Sequence, residues 1–273
     1  RLKNMSTIYI PKLGDIVIPG SHPKKGHFMV PDLPVTTGLK GMHIQGGNAA
    51  LSIRNLADST TPLTMVGTPT ISPTFGAVCN FSNCFDTGRV SSRNQTHIVI
   101  CKPVKPTAAT EQRQAFMMGN YNYSGSPIVY RGDGLAFMYT TTAPNTIYGA
   151  FVEDNNATPT NLINNFTTNY DVTKWAAFVS LIDGDNNIAR IGGRQGGALA
   201  WQGSRTLTNR TAYTGRTIRI GSHHASAAYP AGADITMGME LIFEAALTQA
   251  EVASVIDSIS AYLNAAWGIN DLG

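Results

Sequence analysis

Thr236-Met237-Gly238-Met239-Glu240-Leu241-Ile242-Phe243, followed by Ala245-Ala246-Leu247-Thr248-Gln249-Ala250-Glu251, is the stretch whose reading decides the fold. Alternation in the first part places Met237, Met239, Leu241 and Phe243 on one face of a strand, opposite Gly238, Glu240, Ile242 and Glu244. It predicts a half-buried strand over 236–244. Thr248 stands three residues before Glu251, the spacing at which a hydroxyl and a carboxylate cap each other's backbone N–H groups and start a helix. Val252, Val255, Ile256, Ile259, Leu263 and Ala266 then form one apolar stripe, and Gly268 supplies a left-handed stop after Trp267. The expectation is an amphipathic helix over 248–267, closing a chain that otherwise reads as β-structure.

Working back towards the N-terminus, short apolar runs separated by turn residues continue. Only 14% of the 273 residues are charged, while 27 Gly and 14 Pro punctuate the chain, a pattern of closely spaced strands rather than helices. Strands are expected near 42–56, 63–72, 75–81, 96–103, 113–122, 127–131, 134–142, 146–153, 174–183, 187–193, 198–203, 217–222 and 236–244, enough for two packed sheets. Residues 1–40 differ. Pro11, Pro19, Pro23, Pro31 and Pro34 interrupt short apolar pieces such as Thr7-Ile8-Tyr9-Ile10 and Asp15-Ile16-Val17-Ile18, and prolines at this density do not fit a central strand. This segment reads as an extended arm, wrapping its own domain or a neighbouring subunit, or as a linker. Residues 41–273 read as one sandwich domain.

Ile242-Phe243-Glu244-Ala245-Ala246-Leu247-Thr248-Gln249-Ala250-Glu251, with Tyr262-Leu263 and Trp267-Gly268-Ile269, resembles the C-terminal signature of concanavalin A-like, laminin-G-type jelly-roll domains. Thr96-His97-Ile98-Val99-Ile100, the run from Trp175 to Gly184, and Thr217-Ile218-Arg219-Ile220-Gly221-Ser222 fall in the order of strands in such domains. The resemblance covers about residues 45 to 270 and implies an all-β jelly-roll sandwich of two antiparallel sheets with a C-terminal helix. It implies little about function, since one fold hosts many sites.

Several chemistries can be weighed on residues alone. Laminarinase-type relatives carry two catalytic glutamates bracketing an aspartate. The nearest match, Glu240-Leu241-Ile242-Phe243-Glu244, has Ile242 in the bracketing position. Its two carboxylates lie about 13 Å apart along a strand, against about 5.5 Å in retaining and at most about 9.5 Å in inverting glycosidases. Both glutamates read as solvent-facing. There is no Gly-x-Ser-x-Gly elbow, and Gly192-Gly193 and Gly196-Gly197 precede no helix, so neither a hydrolase nucleophile nor a phosphate cradle is indicated.

Asp183, Asp185 and Asn187 offer oxygens at alternate positions, as calcium prefers, but Ile188 stands where a calcium loop needs its Gly, and the distal Glu is missing. The segment reads as a hairpin turn with no metal and no cofactor. Arg131-Gly132-Asp133 matches an adhesion tripeptide, yet Asp133-Gly134 accounts for it as a hairpin. Cys79, Cys84 and Cys101 are odd in number and lack metal spacing, which favours buried free thiols over a disulfide framework.

The formal charge of +3 comes from scattered Lys and Arg, which argues against nucleic acid as a partner. No run reaches the roughly 20 apolar residues needed to cross a bilayer. Recognition has better support. Asn120, Tyr121, Asn122 and Tyr123, with Trp201, His223 and His224 further on, combine aromatic planes, amides and hydrogen-bonding rings, the mixture that stacks on a sugar and bonds its hydroxyls. The low charge and the wealth of Thr, Asn, Gly and Ala resemble phage tail or head fibres and capsid decoration proteins. The functional expectation is a non-enzymatic virion-surface or extracellular protein that binds a glycan or cell-surface ligand. Its arm would contact other virion proteins, in a homo-oligomer. A purely structural decoration protein, or a polysaccharide-active enzyme with acids on loops, are the alternatives.

Overall fold

A computed structural model describes residues 30–105, 115–124, 129–138, 146–154, 161–224 and 234–273, with only the backbone for residues 123, 124, 146 and 161–164. The larger part of the proposed arm, residues 1–29, lies outside the described residues, and 30–38 contain neither helix nor strand. The chain then forms β1 (Leu39–Ile44), the short helix α1 (Ala49–Ser52), β2 (Thr64–Val66), β3 (Thr70–Ile71), β4 (Ala77–Cys79), β5 (Cys84–Asp86) and β6 (Gln95–Cys101). Next come β7 (Phe116–Gly119), β8 (Asn122–Ser124), β9 (Val129–Arg131), β10 (Gly134–Phe137), β11 (Thr146–Val152) and β12 (Asn161–Thr168). β13 (Ala176–Asp183), β14 (Ile188–Arg194), β15 (Ala200–Trp201), β16 (Arg205–Thr206), β17 (Arg219–Ile220), β18 (Ile235–Phe243) and α2 (Gln249–Trp267) complete it.

Two antiparallel sheets result, as expected. One has nine strands, running β15-β14-β13-β6-β18-β4-β3, with β1 also on β18 and β16 also on β14. The other has seven, running β12-β11-β10-β7-β17-β5-β2, and β8 and β9 form a separate ribbon. α1 replaces the second half of the strand expected over 42–56, its start capped by Asn48 accepting from Leu51 N.

The central strands read as continuous apolar runs because both faces are covered. On β6, Val99 and Cys101 point into the space between the sheets with Phe178, Met117 and Ile220, while Ile98 and Ile100 point outward against α2. The helix meets them with Val252, Val255, Ile256, Ile259 and Leu263, the predicted stripe. Its capping box is present: Glu251 N donates to Thr248 Oγ1 (3.2 Å) and Thr248 N to Glu251 Oε2 (2.7 Å). Gly268, at φ +68°, ends it.

β18 departs from simple alternation. Its register with β6 shifts between Met237 and Met239, so Met237 faces the inter-sheet core while Met239, Leu241 and Phe243 face the helix. Gly238 sits at the shift, and a Cβ there would come within 2.7 Å of the Phe75 ring and 2.8 Å of Trp175. The strand is therefore buried on both faces, not half-buried. Glu240, expected in solvent, is fully buried in the sandwich. It accepts from Gln45 Nε2 at 3.0 Å, and burial pushes its carboxyl up to about 8. Glu244 is exposed, as expected, and pairs with Arg89 at 3.2 Å. The two glutamates thus project into different environments and do not face one substrate.

Cys79, Cys84 and Cys101 are buried free thiols. Among the described residues, no helix is long and apolar enough to cross a membrane.

Candidate binding surface

The predicted polar and aromatic cluster lies at one end of the seven-stranded sheet, where β7 leaves for the β8–β9 ribbon. Gly119 makes the exit with φ +154°, and a Cβ there would lie 2.3 Å from Asp133 O. Asn120 follows, fully buried. Its Oδ1 accepts from Ser91 Oγ (3.0 Å) and Asp133 N (2.8 Å), while its Nδ2 donates to Tyr213 O (2.9 Å) and Arg216 O (3.1 Å). The amide expected to meet a ligand is occupied tying four segments together.

Tyr121 is also buried, its ring 4.5 Å from Phe151, 5.2 Å from Phe116 and 6.1 Å from Tyr130 by centroid. His223 completes this packing at 4.3 Å from Phe116, and burial lowers it to about 3, keeping the ring neutral. His224 is half-buried. Its Nε2 donates to Thr217 O (2.7 Å), its backbone N donates to Tyr121 O (2.7 Å), and burial, with Arg219 nearby, lowers it to about 4. Asn122 is buried on β8 opposite Arg131, and Tyr123 pairs with Tyr130, although its side chain lies outside the described residues.

Trp201 does not join them. It sits on β15 of the nine-stranded sheet, half-buried against the core beneath α2, with its ring over Gly192. Long-range topology, invisible in local composition, separates it from the other six.

Around Asn120 runs a network of charges. Arg210 and Asp133, both buried, form a two-pronged pair with both contacts at 2.7 Å. Burial alone would raise the Asp133 carboxyl, but the Arg210 guanidinium and its hydrogen bonds reverse this and hold it below the usual range. Arg210 also donates to Glu153 O (2.8 Å) and Ser92 O (2.9 Å), and Gln95 Nε2 donates to Asp133 Oδ2 (3.0 Å). Glu153, buried, accepts from Gly132 N (2.7 Å) and pairs with Arg131 (2.6 Å).

This arrangement corrects the reading of Arg131-Gly132-Asp133. Asp133 is 2% exposed and committed to Arg210, so the adhesion tripeptide is not presented. Nor is Asp133-Gly134 a hairpin, because β9 pairs with β8 whereas β10 pairs with β7 and β11.

What remains at the surface is a set sequence reasoning missed. Arg131 is 26% exposed, with its guanidinium 5.3 Å from the centroid of the half-buried Tyr213 ring, a cation–π contact. Thr214, Gly215 and Arg216 are exposed beside it. Tyr213 lies in a Thr-rich loop with no apolar period, and nothing local pairs it with a residue some eighty positions earlier. Chemically, the surface offers an aromatic face, guanidinium donors and a hydroxyl. The acids within it, Asp133 and Glu153, are buried and paired.

At the β13–β14 hairpin, Asp183 accepts from Asn186 N and Nδ2 (3.0 and 2.7 Å), and Asp185 from Arg93 Nε and Asn94 Nδ2 (3.0 and 2.6 Å). Asn187 takes the left-handed turn position at φ +52° and accepts from Arg210 N (2.9 Å). These oxygens are held by N–H donors. Among the described residues, no three His, Cys, Asp or Glu are grouped to hold a metal.

No protein-family profile matches the sequence, and no curated protein does. Similar architectures are found among solved structures. One is botulinum neurotoxin type C, which depends upon interaction with two ganglioside molecules to enter cells (TM-score 0.52, 9% identity, 81% of this chain and 51% of that one). The botulinum neurotoxin serotype C1 binding domain gives a TM-score of 0.52 at 12% identity over 80% of this chain and 52% of that one. The serotype D binding domain gives 0.51 at 9% over 81% and 51%. The chain spans about half the length of the chains it matches. At these identities the likeness is one of fold alone, a jelly-roll of two antiparallel sheets.

Proposed function

We propose that this protein is a non-enzymatic, surface-exposed module that binds a glycan or cell-surface ligand, in the manner of a phage tail- or head-fibre adhesin. The observation that carries this reading is the Arg131–Tyr213 surface, a half-buried ring and a cation fixed on a frame of buried struts. Preorganised side chains of this kind bind without paying to order themselves. Asn120, Asp133 and Arg210 are the struts, Tyr121 and His223 the packing behind them, and Tyr213, Arg131 and Arg216 the contact residues. That a protein of the same fold depends on gangliosides supports a glycan as ligand, and the composition of the chain supports a virion setting.

A glycan array probed with the intact protein and with Tyr213→Ala tests this. Binding should weaken about tenfold or more on loss of a central aromatic anchor, with the folded signal retained. Trp201→Ala, on the other sheet, should leave binding unchanged. Undiminished binding by folded Tyr213→Ala would refute the site. The second reading, a structural decoration protein, is favoured by an apolar groove beside the N-terminal segment. No array signal, together with a defined oligomeric mass, would support it instead.

A further inference from the structure

Between the first described residues and β1 runs a groove of about 380 Å³. Leu33, Leu39, Met42, Leu56 and Ala57 line it, and each packs on the core beneath α2, so the groove is an outward continuation of that core. Asp32 is its one charged lining residue, and Val30, the first residue described, forms part of its wall. The preceding chain is therefore joined covalently to the groove's own wall. That chain contains Asp15-Ile16-Val17-Ile18, an alternation that would put two isoleucines on one side of a strand, and residues 19–29, between it and Val30, hold Lys24 and Lys25 but no acid.

The free edge of β1 is closed to strand addition. Asn55 Oδ1 accepts from Met42 N (3.1 Å), its Nδ2 donates to Lys40 O (2.9 Å), and Leu56 N donates to Met42 O (2.8 Å). An occupant must bind through its side chains. Eleven residues separate Ile18 from Val30, with Pro19-Gly20 and Gly26 among them as turn-formers, enough to bring a segment back to its point of departure.

We propose that the groove is the seat of the chain's own residues 15–18, with Ile16 and Ile18 filling it and Lys24 or Lys25 facing Asp32. A short tether gives this segment an effective concentration in the millimolar range, above that of any second copy in dilute solution. The docked segment would cover Leu39 and Leu56 and fix where the remaining N-terminal residues emerge.

The test uses the full chain and an Ile16→Asp/Ile18→Asp variant, whose substitutions precede the first described residue of the sandwich. Hydrogen exchange of residues 39–42 and 55–58 is followed by mass spectrometry, beside the mass in solution. Exchange in both segments should speed up about tenfold or more in the variant, since docking adds an opening step before exchange. The mass should stay the same. Lys24→Glu/Lys25→Glu should give a smaller acceleration in the same two segments. Unchanged exchange in the Ile16→Asp/Ile18→Asp variant would overturn the proposal. So would faster exchange accompanied by a fall from oligomer to monomer, which would assign the groove to a partner's segment. The outcome does not depend on glycan binding.

Discussion

Replacing Glu240 by Gln should change how stability depends on pH, and the sign follows from where the carboxyl sits. In the fold it titrates at about 8, raised by burial from 4.5. Between those values the unfolded chain gives up a proton that the native state keeps, so stability falls as pH rises. At about 1.4 kcal/mol per unit, the loss from pH 5 to 7.5 is about 3 kcal/mol. A glutamine at this position carries no titrating proton, and it can offer Gln45 the same acceptor while its amide N–H takes the place of the acid proton. Gln45 Oε1 and Glu240 Oε1 have no other hydrogen-bond partner, so a proton between them would complete a paired acid and amide.

The titratable groups on the strands beside Glu240 are His43 on β1, His97 and Cys101 on β6, and Cys79 on β4. Burial keeps both thiols neutral and lowers both histidines to about 4. Their titrations are shared by wild type and variant and cancel in the difference. Urea unfolding at pH 5, 6, 7 and 7.5, followed by tryptophan fluorescence, gives that difference. Wild type should lose about 3 kcal/mol relative to Glu240→Gln across the range. A flat difference would mean that Glu240 is ionised in the fold, and the reasoning would fail.

The remaining predictions concern packing, pairing and acid. Ile256→Ala should destabilise by about 2–5 kcal/mol through lost burial and a residual cavity under α2, measured by denaturant unfolding. Asp133→Asn leaves the Arg210 guanidinium buried without its counter-charge and should cost about 3–5 kcal/mol, and the proposed glycan binding should weaken with it as the loop around Tyr213 loosens. Glu240→Gln should lose stability as pH drops below 6.5, because His43, His97, His223 and His224 are held neutral in the fold to about 4, 4, 3 and 4. Each fully buried ring contributes up to about 1.4 kcal/mol per pH unit, the half-exposed His224 less, and melting temperatures at pH 6.5, 5.5 and 4.5 would show it. Calcium at millimolar concentration should leave the melting temperature unchanged, since Asp183 and Asp185 are already engaged by N–H donors. A clear rise would assign the hairpin to the ion.

The C-terminal helix was legible because its signals are local: a cap, an acid three residues on, an apolar stripe and a glycine. The runs at β6, β13 and β14 were legible for the same reason. β12 was not, since Asn161-Leu162-Ile163-Asn164-Asn165-Phe166 lacks the β-branched density that marks a strand. On β18 the alternation was right from Met239 onward, but the bulge at Gly238 depends on Phe75 and Trp175 arriving from elsewhere. Glu240 was misplaced because a strand with one polar residue looks half-exposed until β1 brings Gln45 beside it. At the candidate surface, composition drew attention to Asn120 and Tyr121, which the fold buries behind Arg131 and Tyr213. Their partners at 91, 133, 213 and 216 are distant in sequence, and only closure of the fold shows that the amide is spent inward while Tyr213 faces out.

The position of β18 also bears on how the polypeptide matures as it is made. It is the last strand described, yet it lies in the interior of the nine-stranded sheet, paired with β1, β4 and β6. Until it emerges, β6 has no neighbour on that side and β1 has none at all within the sheet. At about 5–20 residues per second, the stretch between β6 and β18 takes of order ten seconds to synthesise. Throughout that interval the backbone of Ile98 and Ile100 is an unpaired apolar edge, open to association with another nascent chain. Premature termination before residue 235 would leave that edge unclosed, so truncated products should aggregate rather than accumulate as folded fragments. The pairing that closes the nine-stranded sheet waits for the last of its strands.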